Sequence, residues 1–526
     1  MTGRKRDEWP AGPGGFPLLV SRPFPQENSK GPSVKHIAIT AFITVLIVSY
    51  LAGCASAPEH HPPDIRVDVP AAWSTGGPEG AGLRLGDAEW WRGFNDEELN
   101  GLVQEALNNN YDLLGAAARV EQAAAIARIA GADLAPQASL GFQASRRRQN
   151  LIGIPIPGRV GIITTRSTSF GVSLDTSWEL DLWGRIRKGK SAALADLEAS
   201  WADLAALRLS IASQTVKAWF SLIEARLQVE LAEQTVESYQ ASAEQVRSRY
   251  EEGVRTSLDV RLSLANLAGA QALLERRREQ LDRSKRQMDI LLGRYPAGVL
   301  EGDTDLPGIP EEIPSGLPSE LLVRRPDLLA AERRFAAAEA RVSEARRAFF
   351  PRLTLTASGG TLTEELEDLI DGDFGVWNIA AGIVQPIFQG GRLRANLAQS
   401  HAASDQALAQ YATAILNAFG EVESALFSEQ TLARQESFLA EATKQSDAAR
   451  QLAERQYNAG LVDYITVLET QRRSLTSQSE YITVRRERLN ARINLHLALG
   501  GGFELAEEWN QFLKSMSSTE TEASVE

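Results

Sequence analysis

The stretch Phe170-Gly-Val-Ser-Leu-Asp-Thr-Ser-Trp-Glu-Leu-Asp181 decides the fold, because apolar and polar side chains alternate along it. The apolar face carries Phe170, Val172, Leu174, Trp178 and Leu180. Alternation with a period of two indicates a β-strand with one apolar face. Segments of about ten residues that are apolar outward and polar inward are typical of transmembrane barrels. A half-buried sheet in a water-soluble protein alternates in the same way, so this stretch alone leaves both interpretations open.

Three other segments show the same alternation. Their apolar positions are Ala138, Leu140, Phe142 and Ala144; Leu353, Leu355 and Ala357; and Trp377, Ile379, Ala381 and Ile383. Four strands cannot close a barrel, since the smallest transmembrane barrels have about eight. Unpaired strand edges cannot face lipid, so the sequence predicts that further subunits complete the barrel.

A long helical segment follows the first quoted strand. From Leu194 to Tyr250, apolar residues recur at spacings of three and four, which is the seam of a coiled coil. A helix from Arg185 to about Glu252 would be about 100 Å long. Gly253 then predicts a turn, after which the chain returns along a second helix.

The whole unit occurs twice in the chain. Gly184-Arg185, Tyr250–Gly253 and Leu292-Gly293 return as Gly391-Arg392, Tyr457–Gly460 and Leu499-Gly500, each 207 positions later. Upstream, Ala135-Pro136 returns as Phe350-Pro351 after 215 positions, because the first strand pair is eight residues longer. A duplicated unit of this size predicts a symmetric architecture in which each copy supplies an equivalent piece of wall.

The N-terminal region predicts export and lipidation. Residues 37–50 form an apolar run of 14 that ends before Leu51-Ala-Gly-Cys54. Such a run spans about 21 Å as a helix, too short for a bilayer core of about 30 Å, so it predicts a cleaved secretory signal. Leu51–Cys54 resembles the lipobox of bacterial lipoproteins, which implies that Cys54 is acylated, and Ala55 implies sorting to the outer membrane. The alternative is a cysteine beside a transmembrane anchor.

These observations divide the chain into five parts. Residues 1–53 are the signal region, in which we predict that translation starts at Val34, since residues 1–33 are long and rich in Gly and Pro for a signal. Residues 54–85 form a lipidated, proline-rich tether. Repeat 1 covers 86–298, repeat 2 covers 299–500, and 501–526 form a C-terminal tail.

Charge and motifs argue against nucleic-acid binding and catalysis. The formal net charge is −13, whereas nucleic-acid binding needs basic patches. Gly184-Arg-Ile-Arg-Lys-Gly-Lys-Ser191 fits a phosphate-binding loop, which would suggest an NTPase. The strand before it alternates with acids, however, while the strand of such a fold is buried on both faces. Of the five histidines, His36 lies in the signal, His60 and His61 lie in the tether, and His401 and His496 are isolated on helices. In each case we expect a solvated side chain rather than a metal ligand. No cofactor or metal site is predicted.

Several motifs, in order, resemble the TolC-like outer-membrane efflux factors, specifically their OprM-like or NodT-like lipoprotein branch. The resemblance covers roughly residues 86–500. It is carried by Arg324-Arg-Pro-Asp-Leu-Leu-Ala-Ala-Glu332 through Ala348-Phe-Phe-Pro-Arg-Leu-Thr-Leu355, by Asp181–Arg187 and Pro386–Arg392, and by the hairpin turns Tyr250–Val260 and Tyr457–Leu468.

The resemblance implies an α+β membrane protein that assembles as a homotrimer. Four strands from each chain would form a twelve-stranded transmembrane β-barrel in the outer membrane, continuous with a periplasmic α-helical coiled-coil barrel. The implied function is a passive exit duct of a tripartite, multidrug-type efflux system, with a periplasmic adaptor and an RND-type inner-membrane pump as partners. Peptides or nodulation-type signals are alternative cargoes. A lipid-anchored coiled-coil rod without a channel is the alternative function, although a rod does not need the four strands.

The resemblance also implies a gate where the hairpin turns narrow the periplasmic tip. Matching turn to turn places Tyr457 on the family's tip tyrosine, Glu469 on an acidic ring position and Asp259 on the corresponding acid of the first hairpin. Val462 and Thr466 stand where some members carry a basic partner and another Asp, so we do not expect the salt-bridged lock of those members. Rings of carboxylates would favour cations and repel one another on closing. The alternative is that both acids are ordinary solvated helix residues.

Overall fold

We describe a computed structural model of the chain for residues 73–74, 89–151, 163–309 and 324–501. The predicted signal region, Cys54 and almost all of the predicted tether lie outside these residues, as does the tail beyond Gly501.

From Tyr111 in the first half and from Pro326 in the second, a helix, two strands, a long helix and a shorter helix follow one another in the same order. The first half contains α1 (Glu97–Asn109), α2 (Tyr111–Ala132), β1 (Gln137–Leu151), β2 (Ile163–Leu180), α3 (Arg185–Glu251) and α4 (Ser257–Leu291). The second half contains α5 (Pro326–Arg347), β3 (Arg352–Thr363), β4 (Gly375–Val384), α6 (Arg392–Asn458) and α7 (Tyr464–Ala498). Short 3-10 turns cover Trp90–Phe94, Leu366–Asp368 and Gly372–Phe374.

The two longest helices have equal lengths, as the duplication predicts. α3 and α6 contain 67 residues each, which corresponds to about 100 Å. The partner helices α4 and α7 contain 35 residues each. The predicted long helix from Arg185 is therefore confirmed. Within the described part of the chain, no helix combines the length and the apolar character that crossing a membrane requires.

The four predicted strands form one antiparallel sheet in the order β1-β2-β3-β4. Leu140 lies opposite Leu174, and Trp178 lies opposite Leu355, so the apolar positions of neighbouring strands share one face. This is the face that the alternation predicted. β1 and β4 are the two edges of the described sheet.

A carboxylate occupies the start of α3, where a nucleotide phosphate would have to bind. Gly184 adopts a left-handed conformation (φ 76°) as the residue before the helix. The backbone N–H of Ile186 donates to Asp181 Oδ1 at 3.1 Å, and that of Arg187 donates to Asp181 Oδ2 at 2.8 Å. These are the free donors that a phosphate-binding loop offers to its ligand. The Gly-rich motif is thus a strand-to-helix junction.

The largest buried cluster lies where α1, α3, α4 and α7 meet. At its centre, Trp219 and Phe220 of α3 are fully buried. Trp219 Nε1 donates to Asp96 Oδ2 at 2.7 Å, and the other carboxylate oxygen of Asp96 accepts the N–H of Leu99 at the start of α1. One carboxylate therefore caps α1 and fastens it to α3.

A buried ion pair joins α6 to α7. Arg492 Nη2 lies 2.9 Å from Glu429 Oε1, and the two side chains are only 2% and 3% exposed. Arg488 lies 3.6 Å from the same carboxylate and 2.8 Å from Glu436. Removing one partner of such a pair leaves a charge in the interior, which typically destabilises a protein by about 3–5 kcal/mol.

His496 is not the solvated residue that the sequence predicted. Its ring stacks on Trp90, with centroids 5.1 Å apart and an interplanar angle of 13°. Burial lowers the pKa of His496 from its ordinary value of 6.5 to about 4, and the positive charge of Arg492 acts in the same direction. The prediction failed because Trp90 is about four hundred positions away in sequence.

The low pKa of His496 predicts a loss of stability in mild acid. The imidazole stays neutral in the folded chain, while the unfolded chain binds a proton as the pH falls through 6.5 towards 4. The stabilisation that the neutral His496 contributes is therefore fully present above pH 6.5 and is lost progressively as the pH falls from 6.5 to about 4. We expect the thermal midpoint of His496→Gln to fall less steeply across this window than that of the native chain.

The matched control is His401→Gln, since His401 is exposed on α6. Its profile should run parallel to that of the native chain. Parallel profiles for all three proteins would contradict the assignment.

Candidate functional site

Both helical hairpins end in turns of the same geometry. Gly253 and Gly460 have φ angles of 77° and 74°, a left-handed conformation that favours glycine. The N–H of Gly253 donates to the carbonyl of Tyr250 at 2.9 Å, and that of Gly460 donates to the carbonyl of Tyr457 at 3.0 Å. The duplication therefore places equivalent side chains at the ends of both hairpins.

Asp259 caps the helix that leaves the first turn. Its N–H donates to Thr256 Oγ1 at 3.2 Å, and its Oδ2 accepts the N–H of Thr256 at 3.3 Å. This reciprocal arrangement is a capping box. In the second hairpin the equivalent residue is Thr466, and Asp463 stands before the helix instead. Asp259 thus has a local structural role whether or not it also faces a pore.

Tyr457 is buried between the two hairpins of the chain. It is 2% exposed and packs with Val246, Tyr464 and Val467. The rings of Tyr457 and Tyr464 lie 5.5 Å apart. The hydroxyl of Tyr457 is buried and makes no hydrogen bond to any described residue. The repeat-equivalent Tyr250 is 46% exposed, so the two copies use this tyrosine differently.

Two arginines from the first repeat contact the ring of Tyr457. The guanidinium carbon of Arg255 lies 4.4 Å from the ring centroid, and that of Arg249 lies 4.9 Å from it. Arg249 also donates to the backbone carbonyl of Tyr457 and to Asn458 Oδ1, both at 3.3 Å. A cation–π contact contributes about 0.5–2 kcal/mol, and more as water is excluded. We call Arg249, Arg255 and Tyr457 the tip clamp.

Sequence reasoning missed both arginines of the tip clamp, although the duplication contained a signal for one of them. Arg255 lies 207 positions before Val462, where the resemblance had indicated a missing basic partner. The basic residue is present at this place in the first repeat rather than in the second.

Glu469 lies outside the tip clamp. It is paired on its own helix with Arg472 at 2.8 Å and with Arg473 at 3.4 Å. The hydrogen bond from Arg472 is the main cause that lowers the pKa of Glu469. Burial is the main cause that raises the pKa of Tyr464, and the negative charge of Asp259 acts in the same direction. The structure therefore places Asp259 in the cap of α4 and Glu469 in ion pairs on α7, whereas Tyr457 contacts Arg249 and Arg255.

Each hairpin end also presents a pair of exposed apolar side chains. Val254 and Leu258 occupy the first end, and Leu461 and Ile465 occupy the second, 207 positions later. Their exposed fractions lie between 61% and 74%. Exposed apolar groups that recur in equivalent places are suited to contact with another protein.

Comparison with known proteins decides the family. The chain matches the outer membrane efflux protein family over residues 102–294 and 317–501. The chain belongs to this family. It is 36% identical over 448 residues to the pyoverdine export outer membrane protein OpmQ of Pseudomonas putida, covering 84% of this chain and 94% of that protein. It is 34% identical over 463 residues to outer membrane protein OprJ of Pseudomonas aeruginosa, covering 88% and 95%.

Solved structures of outer-membrane channels share the fold. The OprN channel superposes with a TM-score of 0.77 at 30% identity, covering 85% of this chain and 99% of that one. The CmeC channel of Campylobacter jejuni gives a TM-score of 0.81 at 25% identity, covering 88% and 98%. The solved channels are trimeric and TolC-like. The predicted fold class is confirmed.

The chain is therefore an outer-membrane efflux channel with a periplasmic helical domain, and it is not an enzyme. The alternative function as a coiled-coil rod without a channel is wrong, and so is the NTPase interpretation of Gly184–Ser191. The roles of Asp259, Tyr457 and Glu469 in a gate stay predictions.

Proposed function

We propose that three copies of this chain form an exit duct that docks on a periplasmic adaptor and passes small molecules from an RND-type inner-membrane pump. The two exposed apolar pairs at the hairpin ends are the observation that carries the docking. Relatives of this chain are named for pyoverdine export and, in TtgF of Pseudomonas putida, for toluene efflux. These cargoes differ in size and polarity, which suits a passive duct with few specific contacts.

The open edges of the sheet support the proposal that three copies assemble. β1 and β4 each have one side without a partner in the described sheet. Each unpaired N–H or C=O group would cost several kcal/mol in lipid, on the order of 2–7. If β4 of one copy pairs with β1 of the next, three copies make a closed barrel of twelve strands, which exceeds the minimum of about eight.

The adaptor surface follows from the same symmetry. Each chain presents two apolar pairs at its hairpin ends, so three copies would present six pairs around one rim. The rim lies about 100 Å from the sheet, at the far end of α3 and α6. A partner that surrounds this rim with apolar side chains would remove all six pairs from water, which is favourable by about 25 cal/mol per Å² of apolar surface.

Polar substitution of the second apolar pair should weaken adaptor binding. We expect Leu461→Ser with Ile465→Ser to lower the affinity of the purified channel for its adaptor by about tenfold or more, since each side chain contributes about 1.5–3 kcal/mol when fully buried. Biolayer interferometry with immobilised adaptor measures this. Phe438→Ser is the control, because Phe438 is equally exposed on α6 but distant from the turns. Equal binding by both variants would refute the docking surface.

We also propose that the tip clamp holds the periplasmic end closed. The clamp joins the two hairpins of one chain, so widening the tip by moving one hairpin requires Tyr457 to leave its two arginines. Asp259 and Glu469 would then set the charge near the opening. The burial of Tyr457 and the exposure of its repeat equivalent, Tyr250, support the role of the clamp.

Ion conductance in planar bilayers tests the clamp. We expect Tyr457→Ala and Arg255→Ala to raise single-channel conductance. Tyr457→Phe should change it little, because the hydroxyl of Tyr457 makes no hydrogen bond to a described residue. Adding Glu469→Ala to Tyr457→Phe should raise the conductance, and this increase would be the effect of the carboxylate alone. Tyr250→Ala is the matched control, and equal conductance for it and Tyr457→Ala would remove the clamp from the gate.

Lipidation at Cys54 completes the proposal. Its support is the lipobox-like Leu51–Cys54, and acyl chains there would hold the tether at the membrane. Intact mass spectrometry of the mature chain should show the added mass of acyl groups, and Cys54→Ser should lack it while still forming trimers. An acylated Cys54→Ser protein would refute the assignment.

A further inference from the structure

The β1–β2 hairpin extends well beyond its neighbour. β1 and β2 stay paired as far as Leu151 opposite Ile163, whereas β3 pairs with β2 only up to Thr363 opposite Phe170. The seven pairs from Ser145–Ser169 to Leu151–Ile163 form an overhang of about 23 Å. It lies at the end of the sheet away from α2 and α3, and hence on the outer side of the membrane.

The two hairpins carry opposite charges at this end. Residues 137–174 contain no Asp or Glu and five arginines, which are Arg146, Arg147, Arg148, Arg159 and Arg166. The equivalent connection in the second hairpin, residues 364–373, contains six acidic and no basic residues. Both hairpins pair antiparallel, so the pairing itself requires neither charge.

Three of the arginines lie on the lipid-facing side of the sheet. Arg148 is opposite Arg166, and Arg146 is opposite Thr168. Alternation with a period of two places these arginines on the same face as Leu140 and Phe142, the apolar face of the sheet. Such a face points outward in a transmembrane barrel.

Arg147 lies between these positions on the same strand, opposite Ser167. Its side chain therefore belongs to the other, polar face. Arg146 and Arg148 thus face outward, and Arg147 between them faces inward.

The height of the three outward arginines matches a layer of lipid headgroups. The apolar face runs from Trp178 to Phe170, which is about 26 Å along the strand and about 20 Å across the membrane at a tilt of about 40°. Outer-membrane barrels have an apolar band of about 25 Å. Arg146, Arg148 and Arg166 lie beyond Phe170, within about 10 Å of it across the membrane. Among the described residues, no salt bridge involves any of the three.

We propose that Arg146, Arg148 and Arg166 bind the phosphate groups of a glycolipid of the outer leaflet. A guanidinium group donates two parallel hydrogen bonds to a phosphate, and it is less strongly hydrated than an ammonium group. The apolar face directly below, with Phe142 and Phe170, would contact the acyl chains of the same lipid. Headgroup and chains are then recognised by adjacent parts of one hairpin.

The acidic segment 364–373 of the same or a neighbouring copy is the competing partner. Within the chain, its strand ends at Thr363, level with Phe170 and four positions below Arg166 on β2. Although β3 is adjacent to β2, its acidic segment makes no salt bridge to the outward arginines in the described structure. The observations therefore favour the lipid.

Binding of lipid A to the purified, detergent-solubilised trimer tests the proposal by native mass spectrometry. The probes are lipid A with both phosphates and the same lipid after enzymatic dephosphorylation. We expect the native protein to retain the phosphorylated form at least about tenfold better, as a bidentate charge-assisted contact allows. Arg148→Gln should lose about tenfold in affinity for this form, and the triple variant with Arg146→Gln and Arg166→Gln should lose more.

Arg147→Gln is the matched control, since it removes the same charge from the adjacent residue on the other face. It should bind phosphorylated lipid A like the native protein. An equal loss in Arg147→Gln, equal binding of both lipids, or unchanged binding by the triple variant would each overturn the proposal. If the triple variant fails to form trimers, Arg148→Gln alone decides. A loss of trimer stability in Arg148→Gln with unchanged lipid binding would assign the arginines to segment 364–373 and also overturn it.

Discussion

The open edges of the four-stranded sheet are the constraint on which the rest of this structure depends. β1 and β4 carry backbone groups that have no partner in the described sheet, and lipid offers none. Neighbouring copies can satisfy these groups only if each sheet continues into the next around one axis. Because α3 and α6 start directly after β2 and β4, that closure would also arrange the helices side by side in a ring. Barrel and helical duct are therefore consequences of one hydrogen-bonding requirement.

The duplicated halves share a backbone but contribute different side chains to the proposed gate and to the proposed lipid site. At the hairpin ends, the first repeat contributes Arg249 and Arg255, and the second contributes the buried Tyr457. At the opposite end of the strands, the first hairpin is basic and the second is acidic. Fold and packing need the two copies to be alike, whereas the gating and lipid binding that we propose would act through individual residues. The differences between the copies are thus the places where function is most directly readable.

Periodicity made most of the architecture predictable from the sequence. Contacts between side chains that are distant along the chain were not predictable. The alternation at Phe170–Asp181 and the 3-4 seam from Leu194 predicted the strand and the long helix, because both patterns are local. The stacking of His496 on Trp90 and the contact of Arg255 with Tyr457 join residues hundreds of positions apart. No local pattern encodes such pairs, so His496 was wrongly expected to be solvated.

The sequence by itself determined the duplication, the four strands, the two long helical hairpins and the family, since each follows from local periodicity or from motifs in order. Tertiary structure alone decided which equivalent residue is buried. Tyr250 and Tyr457 occupy the same place in their repeats, yet only Tyr457 lies between the hairpins, where Arg249 and Arg255 reach its ring. The physical reason is that burial and charge contacts depend on which surfaces meet in space, and sequence periodicity describes one element at a time.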